Sequence, residues 1–183
     1  MNFRFLLNSI PLLLSLFLLN KCNQPDVNEN LSVSAVINLN DVYQVKEGSI
    51  YDGDTLRVIS RDGEELKIRF ACIDAPEKKQ KFGIESRDYL RSLIKRSNNK
   101  VTLNIISTDR YNRKVAVLYL LSGEAVQTLQ VKNGWVYPYP QYKSDCPIWD
   151  DIEKAEAIAI NNKSNLYNKN NLPKPWEWRK NNK

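Results

Sequence analysis

Along Leu66 to Ile73, the apolar residues Leu66, Ile68, Phe70 and Cys72 alternate with Lys67, Arg69, Ala71 and Ile73. A period of two marks a strand with one face turned to a core, and it sets Arg69 opposite the most apolar face. Upstream, Tyr43 to Ile50 reads as a strand, followed by the Asp52-Gly53 turn signal and a second strand from Thr55 to Ser60. Arg61, Asp62 and Gly63 supply the next tight turn, and two further strands are predicted at Val101 to Ile106 and Val115 to Leu121. Helical spacing takes over between and after these strands. Glu85 to Arg96 gathers Tyr89, Leu90, Leu93 and Ile94 on one side, and Ala125 to Asn133 stops at Gly134, a favoured C-terminal cap. Ile148, Ile152, Ala155 and Ala159 form one stripe, with Pro147 suited to the first turn of that helix. Strands clustered around one helix, with further helices at the end, predict an α+β domain built on a small closed barrel.

The N-terminus follows a different pattern. Arg4 precedes an uncharged run from Phe5 to Leu19, about 15 residues long where a membrane span needs roughly 20, which matches the apolar core of an export signal. Cys22 stands where bacterial lipoproteins carry their lipidated cysteine, but with Lys21 in place of the usual small residue. Lipid anchoring through Cys22, ordinary cleavage nearby and an uncleaved anchor are all open. The expected division is a signal segment at 1–22, a flexible Asn- and Ser-rich tether at 23–41, a folded domain at 42–179 and a short tail at 180–183. Export is the expectation, to the medium, the periplasm or a lipid-anchored outer surface. That compartment permits a disulfide between Cys72 and Cys146, although two separate buried thiols are the favoured reading, with Cys72 filling a small apolar position inside its strand.

Composition narrows the chemistry. The 183 residues include 27 Lys and Arg against 21 Asp and Glu, a formal charge of +6 that favours a polyanionic partner. The chain has no histidine, which excludes catalytic triads, imidazole acids and bases, and the usual His-containing zinc sites.

Three segments then carry the argument: Asp52-Gly53-Asp54-Thr55, Arg69 through Asp74-Ala75-Pro76-Glu77, and Asp109-Arg110-Tyr111-Asn112-Arg113. They supply carboxylates for a hard cation and guanidinium forks for phosphate, the inventory for metal-assisted attack on a phosphodiester. Taken singly, each segment also has a structural reading, as a hairpin turn, a strand terminator or a solvated edge arginine.

Together and in this order they resemble the staphylococcal nuclease family, over about Tyr43 to Leu166 and including Val126-Gln127-Thr128-Leu129 up to Gly134. The ending Pro173-Lys174-Pro175-Trp176-Glu177-Trp178-Arg179 is similar to tails of secreted bacterial relatives. The resemblance implies an OB-fold barrel of five strands with three helices and one calcium ion, Ca2+. It makes Asp54, Asp74 and the carbonyl of Ala75 the metal ligands, Arg69 and Arg113 the phosphate-binding arginines, and Glu77 the general base or the residue orienting the attacking water. Tyr111 resembles a tyrosine beside the nucleotide phosphate, with a barrel-closing aromatic as its alternative; Tyr137, Tyr139 and Tyr142 crowd the region of the terminal base. Asn112 replaces the usual glycine, a change Asn tolerates because it also enters left-handed conformations. The implied activity is hydrolysis of DNA and RNA to 3′-phosphate ends by a monomer with no protein partner. The alternative is a nucleic-acid-binding OB module without turnover.

Overall fold

The computed structural model describes residues 42–169 and 171–182. The expected signal segment, Cys22 and the tether lie outside the described residues. Five strands close a barrel: β1 (Val42–Val45), β2 (Thr55–Ile59), β3 (Glu65–Phe70), β5 (Lys100–Thr108) and β6 (Lys114–Leu120), paired in the order β1-β2-β3-β6-β5 and back to β1. A two-residue strand β4 (Ile73–Asp74) pairs outside the barrel with β7 (Tyr137–Pro138). β3 runs parallel to β6 and every other barrel pairing is antiparallel. This is the closed barrel anticipated from the strand pattern, in the OB-fold form that the resemblance implies.

Alternation fills the interior as expected, since Leu56, Val58, Ile68, Phe70, Ala116 and Leu118 are all buried. Helix α1 (Gly83–Arg96) closes the core with Leu90, Leu93 and Ile94. Helix α2 (Val126–Lys132) docks by a polar device, because the side chain of buried Gln127 accepts from the Leu118 N–H at 3.1 Å and donates to the Ala116 carbonyl at 2.9 Å. Helix α3 (Trp149–Asn161) packs Ile152, Ala155 and Ala159 inward, three of the four residues of the expected stripe; Ile148 is its N-cap, so Pro147 precedes the helix and does not lie in its first turn. A fourth helix, α4 (Pro175–Asn181), forms beyond the three expected and runs across the expected boundary between domain and tail, and 3-10 turns cover Pro140–Asp145 and Asn165–Asn168.

Two local readings are corrected. The first strand ends at Val45 instead of Ile50, because the chain turns through Gly48 at φ 70°. The third strand ends at Phe70, where Cys72 adopts φ 69° and breaks the extended run before β4. Cys72 is therefore not a strand residue, and it is not a separate buried thiol either: it is bonded to Cys146. The cross-link ties the segment two residues before Asp74 to the chain ahead of α3, across a sequence separation of 74. Closing a loop of that size restricts the unfolded chain, so replacing both cysteines by alanine is expected to lower stability by about 2–4 kcal/mol. Urea unfolding without reductant reads this, and an unchanged midpoint would show that the cross-link contributes nothing.

Candidate active site

Asp54 ends the turn between β1 and β2, and its backbone is fixed from two sides. The Phe70 N–H donates to the Asp54 carbonyl at 2.9 Å, and Gln130 of α2 donates through Nε2 to the neighbouring Gly53 carbonyl at 2.6 Å. Its buried carboxylate reaches across to the next segment, where Oδ2 accepts from the Ala75 N–H at 2.7 Å. Thr55 pairs with Arg69 in the β2–β3 register, which delivers that guanidinium to the same place. Arg69 spans two acids, with Nη1 at 3.0 Å from Asp54 Oδ2 and Nη2 at 2.8 Å from Asp74 Oδ1.

Asp74 is wholly buried at the end of β4, and Ala75 beside it is buried too. Glu77 follows Pro76 in a turn whose hydrogen bonds come from Gln80: the Gln80 N–H donates to the Glu77 carbonyl at 2.7 Å, and the Glu77 N–H donates to Gln80 Oε1 at 3.1 Å. Gly83 opens α1 directly behind this turn. A Cβ there would lie 2.0 Å from the Glu77 carbonyl oxygen, so only glycine lets the helix start so close to it.

The third segment forms a separate unit. Asp109 Oδ1 accepts from the N–H groups of Tyr111 and Arg113, each at 2.9 Å, and Oδ2 accepts from Arg113 Nε at 2.7 Å. Asn112 takes φ 58°, the left-handed conformation its side chain permits. Tyr111 is 63% exposed, with Arg110 and Arg113 over its ring at 4.9 and 5.5 Å, so it does not close the barrel. Parallel pairing of Arg69 with Val115 brings Arg113 to the entry of the strand alongside β3. Thus Asp54, Arg69, Asp74 and Ala75 meet in one network, while Arg113 and Tyr111 are organised around Asp109.

Electrostatics mark the acid cluster. Burial, reinforced by the charge of Asp54, pushes the Asp52 carboxyl up to about 6. Burial also pushes Asp74 up, with Asp54 adding to the effect and hydrogen bonds from Arg179 opposing it. Burial works against the charge of Asp109 too, but there the hydrogen bonds from Arg113 and from the Tyr111 backbone win and hold the carboxyl below its usual range. Among the described residues, no three acids stand together at metal-ligand spacing. What is present fits a hard cation with water in its remaining positions: two buried carboxylates and the backbone of Ala75, all oxygen donors, in a region where negative charges crowd.

One member of the network was not anticipated. Arg179 of α4 donates through Nη2 to Asp74 Oδ2 at 2.6 Å, and through Nη1 to Asp74 Oδ1 at 3.2 Å and Glu77 Oε1 at 2.7 Å. Burial acts against its charge, but the hydrogen bonds to Asp74 and Glu77 outweigh that and hold the guanidinium even more firmly protonated than usual. The signal available in the sequence was a helix start, Pro175 with Glu177 two residues on, inside a segment dense in tryptophan.

Comparison with known proteins identifies the family of this fold. The family model described as staphylococcal nuclease homologue matches residues 67–169, a span that includes Arg69, Asp74, Glu77 and Arg113 and ends before α4. An uncharacterized endonuclease of Haemophilus influenzae is 37% identical over 131 residues, covering 72% of this chain and 70% of that protein. An uncharacterized endonuclease of Escherichia coli O157:H7 is 33% identical over 130 residues, with 71% and 80% covered. A micrococcal nuclease of Shigella flexneri is 30% identical over 141 residues, with 72% and 77% covered. With its five-stranded OB barrel and a family match over more than half its length, the chain belongs to the staphylococcal nuclease family.

Proposed function

We propose that this protein is an exported, calcium-dependent nuclease that hydrolyses phosphodiester bonds in DNA and RNA. The observation that supports this most directly is the single guanidinium of Arg69 shared between the carboxylates of Asp54 and Asp74, with Glu77 joined to Asp74 through Arg179. Asp54, Asp74 and the Ala75 carbonyl would hold the calcium ion, which supplies Lewis-acid stabilisation of charge on the phosphate. Arg69 and Arg113 offer paired donors to the non-bridging oxygens, and these bonds strengthen as charge accumulates in the transition state. The Nε bond to Asp109 orients the Arg113 guanidinium for that task. Glu77 orients the attacking water or takes its proton. A new bond then forms from the water oxygen to phosphorus, the bond to the 5′ oxygen breaks with protonation of that oxygen, and a 3′ phosphate remains.

Export is supported by the apolar run after Arg4 and by the Cys72–Cys146 cross-link, since disulfides persist in oxidising compartments. Digestion of single-stranded DNA and of RNA, side by side, tests the activity. Cleavage of both is expected with calcium and none with a chelator. Calcium-independent cleavage at an equal rate would sink the mechanism, and salt-sensitive binding without turnover would make the chain a binding module.

A further inference from the structure

Helix α4 places a second cation against Asp74, one of the two carboxylates proposed above to hold calcium. Arg69 and Arg179 together occupy Asp74 on both oxygens: Oδ1 accepts from Arg69 Nη2 and Arg179 Nη1, and Oδ2 accepts from Arg179 Nη2. Three donors on one carboxylate leave little of its lone-pair capacity for a metal ion, so the guanidinium groups and a cation compete for it. The two arginines differ in how freely they can go. Arg69 lies within β3, hydrogen-bonded on both flanks by β2 and β6, and only 15% of its side chain is exposed. Arg179 lies in the last turn of a seven-residue terminal helix, and its side chain is 38% exposed.

The rest of α4 is docked in register with that contact. The Pro173 carbonyl accepts from Gln80 Nε2 at 2.7 Å, and Gln80 is the residue whose Oε1 holds the Glu77 N–H. Lys174 Nζ sits 3.6 Å above the Tyr137 ring, and Trp176 stacks on Tyr139 with ring centroids 4.9 Å apart and planes 6° from parallel. The helix is thus anchored by aromatic contacts at its start and delivers a positive charge to the acid cluster at its end.

We propose that Arg179 is a tethered counter-cation of the active site: it neutralises Asp74 and Glu77 in the metal-free protein and is displaced from Asp74 when a divalent cation binds. The inference rests on the reading of Asp54 and Asp74 as metal ligands. Its physical basis is competition for one wholly buried carboxylate: Arg179 and a divalent cation both need the oxygens of Asp74, and they repel each other when they share it. α4 therefore sets the affinity for metal by an intramolecular competition that calcium must win, and the cost is graded by whatever cation stands at position 179.

Calorimetric calcium titration of the full chain, compared with Arg179→Ala, Arg179→Lys and Asp54→Asn, tests this, with amide hydrogen exchange over 175–181 as a second readout. Arg179→Ala is expected to bind calcium about tenfold more tightly. Arg179→Lys, with one point charge and no fork, is expected to fall between that variant and the parent. In the parent, calcium is expected to speed exchange across α4, and in Arg179→Ala this calcium response is expected to vanish. An unchanged or weakened titration for Arg179→Ala beside a weakened one for Asp54→Asn overturns the inference alone. Unchanged titrations in both variants overturn the metal-site reading beneath it.

Discussion

Arg69→Lys is expected to lower turnover by about 10²–10³-fold at saturating calcium, the range seen when one preorganised donor to a developing oxyanion is removed. The guanidinium holds Asp54 with one terminal nitrogen, Asp74 with the other, and also donates to the Phe70 carbonyl at 3.1 Å. An ammonium at the end of a flexible stem is a compact point charge and cannot present a planar pair of donors to phosphate. Charge is conserved, so the calcium midpoint is expected to move by only a few-fold. The measurement is kcat on single-stranded DNA with calcium in excess, next to a calcium titration. Near-native turnover would remove Arg69 from the chemistry, even though it would leave the barrel untouched.

Asp54→Asn is expected to act on the metal first. The amide oxygen can still accept the Ala75 N–H, so the loop geometry survives, but one of the two buried charges that make the pocket attractive to a hard cation is lost. The calcium midpoint of activity is expected to rise by at least about tenfold, with a lower rate even when metal is restored. The two substitutions are separable because one removes a shaped donor and keeps charge, while the other removes charge and keeps shape. An unaltered midpoint in Asp54→Asn would show that this carboxylate is not a metal ligand.

The barrel and much of the site were legible because their determinants are local. β3 could be read from its alternation, and Asp54, Arg69 and Asp74 lie within one hairpin and its exit, where a turn signal and a strand fix relative position within a few residues. Asn112 was legible for the same reason, since a left-handed position in a tight turn restricts the residue type. Pairing at long range was not legible. Cys72 and Cys146 are 74 residues apart, and two cysteines alone carry no information on distance. Arg179 and Asp74 are 105 residues apart, and their meeting depends on α4 docking against Tyr139 and Gln80. Only the folded surface brings those partners together. The early end of the first strand reflects a competition that propensity does not see, in which a left-handed glycine at 48 lets the chain turn before the apolar Ile50 is reached.

The glutamines of α2 act as a gauge between two halves of the site. Gln127 takes its bearings from Ala116 and Leu118 on β6, the strand that Arg113 leads into, while Gln130, three residues on, takes its bearing from the carbonyl next to Asp54. All of these groups are buried, so sliding the helix by a single turn would orphan several donors and acceptors at once, at about 1–3 kcal/mol each. The helix is seated in one register or not at all. The spacing between the loop that carries Asp54 and the strand that follows Arg113 is thereby held to the tolerance of a hydrogen bond. Two buried amides of one short helix thus set the distance between segments that lie far apart in the chain.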